Sequence, residues 1–282
     1  MKYSFYPGCS QESAEENFGK SSEAVCHELG IELVEIPEWT CCGASSAHFL
    51  NEELAHAMPG RNLAIAEKIG DDVVCVCSAC YLRLRHTMLE VRHSPEFKDH
   101  LQKLTGMPYE GKNEVKHLLD VLVNDLGLDA IEKKVKNPLK GLKLVSFYGC
   151  YLMRPPKIVA FDDPENPTIM DKLMHSLGAN DLDWQGKIEC CGASLPLTRG
   201  DIVEDMVDKI IVSAKEVGAD AIVVACPMCN MNLDQKQTSE EKLPILYFTE
   251  LMALAMGIDD AGGWFEKHFV SPMNVLDYHN LL

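Results

Sequence analysis

Short apolar runs that end in glycine punctuate the chain. YSFY at residues 3–6 and LVSFY at 144–148 are rich in aromatic and β-branched side chains, and each leads through a glycine into a cysteine. Such composition predicts strands. Residues 12–29, ESAEENFGKSSEAVCHEL, place Ala14, Phe18, Val25 and Leu29 near helical spacing, with Gly30 as the stop. IELVEI at 31–36 predicts a second strand closed by Pro37, after which come a CCG turn and helical material to about residue 69. DVVCVC at 72–77 predicts a third strand running into a helix from Ser78, and AIVVA at 221–225 is its counterpart in the second half. Strands that alternate with helices pair in parallel through right-handed crossovers. The pattern predicts an α/β protein made of two pseudo-symmetric Rossmann-like domains with short parallel sheets.

The cysteines repeat with the strands. The first set is Cys9, Cys41, Cys42, Cys77 and Cys80, the second Cys150, Cys190, Cys191, Cys226 and Cys229, in the patterns Cx31CCGx33CxxC and Cx39CCGx33CxxC. A duplication at this scale indicates two copies of one supersecondary unit. The division falls within NPLKGLK at 137–143, where Pro138 and Gly141 interrupt the pattern, giving domains of residues 1–139 and 140–282. Consecutive strand residues point to opposite faces, so only a turn aims both thiols of a CC pair at one target. Gly43 and Gly192, directly behind the pairs, provide the backbone freedom for that turn.

Composition narrows the setting. The opening MKYSFYPGC lacks the basic and apolar regions of a secretory leader, which makes the reducing cytoplasm the expected compartment and CxxC pairs the mark of metal or redox sites. No apolar run approaches the ~20 residues that span a bilayer, so no direct membrane insertion is expected. The formal net charge of −17 argues against a nucleic-acid partner, whose phosphates need clustered Lys and Arg.

All ten repeated cysteines are expected at carboxyl ends of strands, where open α/β sheets build their sites and helix N-termini favour thiolates. A structural zinc and a cubane [4Fe–4S] cluster each take four ligands. The surplus thiol lies at the CC pair in both copies, which points to five-sulfur ligation with a thiolate bridging iron atoms. Ordinary four-cysteine zinc or cubane ligation with a spectator fifth thiol is the alternative.

Across nearly the whole chain, this doubled pattern resembles the paired cysteine-rich CCG domains of the heterodisulfide reductase B subunits. The resemblance implies two noncubane [4Fe–4S] clusters, one ligated by Cys9, Cys41, Cys42, Cys77 and Cys80 and the other by Cys150, Cys190, Cys191, Cys226 and Cys229, with Gly43 and Gly192 shaping the cofactor turns. It implies reductive cleavage, or in reverse formation, of a disulfide such as that of coenzymes M and B, between the clusters. Related bacterial proteins act in settings without those coenzymes. Neither a GxGxxG fingerprint nor a compact ferredoxin run is present, so electrons are expected from another polypeptide. In the family those partners are a ferredoxin-like iron–sulfur protein and a flavin-containing protein of the same heterodisulfide reductase-like complex. The competing readings are a non-catalytic electron-transfer subunit of a CCG-containing complex and a zinc-stabilised scaffold.

Other residues carry weaker signals. Cys26 and Cys75 are not repeated and are expected in the core. His48, six residues after Cys42, is a candidate proton donor. Arg83, Arg85, Arg154, Lys157 and Arg199 each follow a cysteine motif and are candidates to orient an anionic substrate. The tail from Trp264, with Phe265, Phe269 and Tyr278, is expected to fold back on the second half or to dock a partner.

Overall fold

A computed structural model describes residues 1–10, 15–44, 50–259 and 261–282. Two four-stranded parallel sheets organise the chain. The first contains β1 (Lys2–Tyr6), β2 (Glu32–Glu35), β3 (Val73–Cys75) and β4 (Val115–His117) in the order β2-β1-β3-β4. The second repeats it with β5 (Lys143–Phe147), β6 (Asn180–Asp181), β7 (Ala221–Val224) and β8 (Ile245–Tyr247), in the order β6-β5-β7-β8. The expected α/β class and its pseudo-symmetry are therefore present. In each sheet the chain first moves outward from the initial strand and then crosses back to its other side. This creates a switch point between β1 and β3, and another between β5 and β7, where open sheets gather ligands at carboxyl ends. Strands β4 and β8 have only three residues each, too few for a hydrophobic period to announce them.

The helices follow local sequence signals. Helix α1 (Glu16–Glu28) gives way to Gly30 at a φ of 71°. Within the expected span 12–29, residues 12–14, and so Ala14, lie outside the described residues. Helix α2 (Glu52–Ile69) starts at Asn51, whose side chain accepts from the Leu54 N–H at 3.0 Å, and ends at Gly70, in left-handed conformation with a φ of 95°. Helices α3 (Ser78–His93) and α4 (Pro95–Thr105) complete the first layer. Helices α5 (Ile169–Ser176), α6 (Gly200–Glu216), α7 (Pro227–Gln235) and α8 (Phe248–Met256) pack around the second sheet.

One continuous hydrophobic core runs through both halves. Helix α1 belongs to the first half yet lies against α8 of the second. Phe18 stacks on Tyr247 with ring centroids 3.9 Å apart, Ser21 Oγ meets Thr249 Oγ1 at 2.7 Å, and Asn17 Nδ2 donates to Glu250 Oε1 at 2.7 Å. This exchange makes the halves mutually dependent. The tail folds back as expected: Trp264 and Phe265 are buried, while Phe269 and Tyr278 face solvent.

Candidate metal centre

The first cysteine set is assembled by three chain reversals at the carboxyl edge of its sheet. Register pairs Tyr6 with Cys75, so the segments leaving β1 and β3 run level toward Cys9 and Cys77. Between Tyr6 and Cys9 the chain turns at Gly8, with a φ of 80°. A Cβ at Gly8 would stand 3.2 Å from Cys80 Sγ and crowd that sulfur, and the positive φ there also favours glycine. The CC turn is held from behind. Tyr6 Oη donates to the Thr40 carbonyl at 2.7 Å, and the buried Asn62 accepts from the Thr40 N–H at 2.9 Å and donates to its carbonyl at 2.8 Å. Gly43, at a φ of 77°, then points its N–H back at Cys41 Sγ, 3.4 Å away. Cys77 occupies the N-cap position of α3 and Cys80 lies one turn on, its sulfur 3.3 Å from Cys42 Sγ.

The second half repeats this construction with different supports. Gly149 has a φ of 70°, and a Cβ there would lie 3.0 Å from Cys229 Sγ. Lys187 accepts at its carbonyl from the Tyr148 and Gly149 N–H groups at 2.8 and 3.1 Å, fixing the approach to Cys150. Gly192, at a φ of 74°, donates to Cys190 Sγ at 3.4 Å. Cys191 and Cys229 sulfurs are 3.4 Å apart, and those of Cys150 and Cys190 are 4.0 Å apart. Asn232 Nδ2 anchors the turn on the Cys191 carbonyl at 2.9 Å. Cys226 occupies the N-cap position of α7, as Cys77 does that of α3.

The two sets join. The thiols of Cys77 and Cys226 act on each other's ionisation, as do those of Cys77 and Cys80 and of Cys226 and Cys229, while Cys41 acts on both Cys9 and Cys42. Thiols this close cannot all ionise. Hydrogen bonding to Cys41 pushes Cys42 up to about 12. Holding a proton toward Cys42 and Cys77 raises Cys80 well above the usual thiol range, as holding one toward Cys191 and Cys226 raises Cys229. Two positions collect the negative charge. The Cys150 thiol, with help from the Gly192 N–H, holds Cys190 down at about 6, and the Cys229 and Cys77 thiols hold Cys226 well below its ordinary value. Bound cations would bring the raised thiols, Cys9, Cys42, Cys77, Cys80, Cys150 and Cys229, to the thiolate form that ligates metal. Among the described residues no three donors are arranged to hold one metal ion, and the sulfurs form a chain of pairs. An all-sulfur donor set, glycines cleared of Cβ beside the sulfurs and helix N-termini aimed at them fit a polynuclear iron–sulfur group.

The remaining predicted residues separate. Arg85 is a structural tie, with Nε donating to the Ile158 carbonyl at 2.7 Å and Nη1 to the Val115 carbonyl at 3.2 Å. Arg154 pairs with Glu165 at 2.9 Å and Arg199 with Asp201 at 2.7 Å, both at the surface, and Lys157 is exposed. Arg83 alone of the five senses both sets: it is half-buried, burial lowers it, and Tyr151, next to Cys150, and Cys42 of the first half act on its charge. Cys26 and Cys75 are buried, as expected. His48 lies outside the described residues. Gly8 and Gly149 escape a motif centred on CCG, although each stands one residue before the first cysteine of its set. Also unannounced is a second repeat, VKHLLD at 115–120 against ILYFTE at 245–250, which carries His117 and Tyr247 to equivalent strand ends.

Comparison with known proteins agrees with this architecture. The family profile of the cysteine-rich domain, CCG, matches residues 3–85 and again 144–234. The 8-methylmenaquinol:fumarate reductase membrane anchor subunit of Wolinella succinogenes is 34% identical over 91% of this chain and 93% of its own length. Among heterodisulfide reductase B subunits, that of the ferredoxin/F420H2-dependent CoB-CoM enzyme of Methanosarcina acetivorans is 29% identical, covering 91% of this chain and 89% of that protein. Among solved structures, a hypothetical protein from Helicobacter pylori shares the fold with a TM-score of 0.73 at 12% identity, over 95% of this chain and 51% of that one. No helix of the described residues is long and apolar enough to cross a membrane. With two copies of the domain and relatives along almost its whole length, the chain belongs to the CCG cysteine-rich domain family, that of the heterodisulfide reductase B subunits, and is an oxidoreductase subunit of the iron–sulfur type.

Proposed function

We propose that this chain is the catalytic subunit of a heterodisulfide reductase-like complex, which reductively cleaves a disulfide, or forms one in reverse, such as that of coenzymes M and B. The observation that carries this reading is the meeting of the two CxxC segments, where Ser78 Oγ, next to Cys77, lies 3.3 Å from the carbonyl of Ala225, next to Cys226. Cys9, Cys41, Cys42, Cys77 and Cys80 would hold one noncubane [4Fe–4S] cluster, and Cys150, Cys190, Cys191, Cys226 and Cys229 the other. Gly43 and Gly192 shape the turns around them. The halves carrying the clusters divide at residues 139 and 140. When bound, the clusters supply the two electrons that a disulfide consumes on conversion, with two protons, into two thiols.

The chain's own residues then bind and orient. Arg83, half-buried and within reach of the charges of Cys42 and Tyr151, offers a guanidinium to an anionic group on the substrate. An apolar cavity of about 730 Å³, walled by Leu195, Pro196, Met228 and Met231, opens beside Cys190–Gly192 and the start of α7. Its size suits a small organic molecule, and Ser194, Asn232, Gln235 and Lys236 add polar groups to its lining. Electrons reach the complex through a ferredoxin-like iron–sulfur protein and a flavin-containing protein, in the reducing cytoplasm. The test is anaerobic metal analysis followed by turnover. About eight iron atoms per chain, four for each cluster, together with dye-driven reduction of a heterodisulfide, support the reading. Zinc in place of iron overturns it.

A second reading is favoured by the 34% identity to the Wolinella succinogenes protein. On that reading the chain relays electrons within a fumarate reductase-type complex and has no disulfide substrate. Iron-loaded protein that exchanges electrons with a quinol or dye, yet turns over no disulfide, selects it.

A further inference from the structure

His117, the last residue of β4, is fully buried where the two halves meet. Its Nε2 lies 2.9 Å from the Val76 carbonyl and 3.1 Å from the Ala225 carbonyl. Val76 immediately precedes Cys77, and Ala225 immediately precedes Cys226. On the other side of the ring, Nδ1 accepts from the Leu119 N–H at 3.2 Å and so carries no proton. A neutral imidazole has one N–H, which is therefore on Nε2 and shared between the two carbonyls. The rings of Tyr81 and Phe161 stand edge-on around it, each with its centroid 6.0 Å away, leaving the imidazole little room to turn.

The equivalent position in the second half behaves differently. Cys75 pairs with His117 and Val224 with Tyr247, so both residues end the fourth strand of their sheets. Tyr247 stacks on Phe18, and its hydroxyl donates to Glu15 at 2.6 Å. It reaches neither carbonyl by any hydrogen bond of the described residues. The junction is thus bridged from one side, with Ser78 Oγ adding a longer contact to the Ala225 carbonyl at 3.3 Å.

We infer that His117 is a positioning residue that sets the distance between the two iron–sulfur sites, by holding the backbone in front of Cys77 and Cys226 on a single N–H. The inference rests on the ligand reading above. Both carbonyls must stay within hydrogen-bond reach of one nitrogen, so moving the cysteines apart costs the Val76 carbonyl its His117 N–H or leaves the Ala225 carbonyl with only the longer Ser78 contact. Exchange of electrons or spin between two centres falls steeply with separation, which makes this spacing a functional quantity.

The experiment compares His117→Phe with His117→Gln in the full chain, reading iron content and the magnetic interaction between the two reduced clusters by electron paramagnetic resonance. Both substitutions remove Nδ1, but a Gln amide places an N–H near the Nε2 position while Phe places none. The expected result is full iron in both, a clear weakening of the cluster–cluster interaction in His117→Phe, and its retention in His117→Gln. If His117→Phe does not fold, His117→Asn makes the same comparison, since its amide can accept from Leu119 but is too short for the two carbonyls. An unchanged interaction in an iron-replete Phe or Asn variant, or equal loss in Gln, overturns the inference. Wild-type protein with both clusters and no interaction between them also overturns it. Wild-type protein that binds no iron defeats the ligand reading itself.

Discussion

Ser78 Oγ donates to the Ala225 carbonyl at 3.3 Å, joining the residues next to Cys77 and Cys226, which open the two CxxC motifs, across the junction of the two sheets. Cys77 and Cys226 each occupy the N-cap position of their helix, so the positive ends of two helices come together at this junction. Paired electrostatic support of this kind suits an anionic metal–sulfur group better than two separate thiols.

The second cysteine of each CC pair is expected to be a ligand. Cys42→Ser or Cys191→Ser should lower iron from about eight to about four atoms per chain, or convert one cluster, while the other signal persists. Iron analysis and low-temperature spectra decide this. Unchanged iron in both variants would reveal a spectator thiol and return the four-ligand alternatives.

Gly8→Ala and Gly149→Ala should each damage the site on their own side. The new Cβ would meet Cys80 Sγ at 3.2 Å or Cys229 Sγ at 3.0 Å, and both positions have positive φ. Left-handed backbone costs an L-residue about 1–2 kcal/mol, before any clash. A drop in thermal midpoint combined with loss of one cluster is the expected outcome. Wild-type iron loading would mean that the sulfurs move aside freely.

Stability should depend on Glu15. Its carboxyl, buried against Tyr247, is raised from 4.5 to about 7, with burial as the main cause. The folded state therefore holds this proton more tightly than the unfolded chain. The contribution is fully present below pH 4.5 and is lost as pH rises through about 7. Denaturant titrations from pH 5 to 8 should show that loss, and Glu15→Gln should flatten it. An identical pH slope in the variant refutes the assignment.

Arg83 should matter to substrate affinity without affecting the clusters. Removing a charge-assisted contact in Arg83→Met is expected to raise KM for an anionic disulfide about tenfold or more. Arg83→Lys should recover part of the loss, since it keeps the charge but not the fork. Steady-state kinetics with anionic and neutral disulfides make the comparison. An equal effect on both substrates would assign Arg83 to structure.

The amino-acid order by itself determined the duplication, the strands before each cysteine and the need for a turn at each CC pair. These are local matters: a thiol next to a thiol, a glycine behind them and an apolar run in front restrict the backbone whatever surrounds them. Tertiary structure decided the rest. Arg83 and Arg85 stand two apart on one helix, and only packing sends Arg85 to the Ile158 carbonyl and leaves Arg83 to sense both cysteine sets. Helix α1 looked like the property of the first half until Phe18 met Tyr247 in the second. His117 reads as an ordinary residue at the end of a three-residue strand, because its partners, Val76 and Ala225, are brought together by two sheets far apart in the chain. Hydrophobic periodicity reports which face of an element is buried, not which element buries it. Pairings between halves arise only when the two cores close over a shared interior.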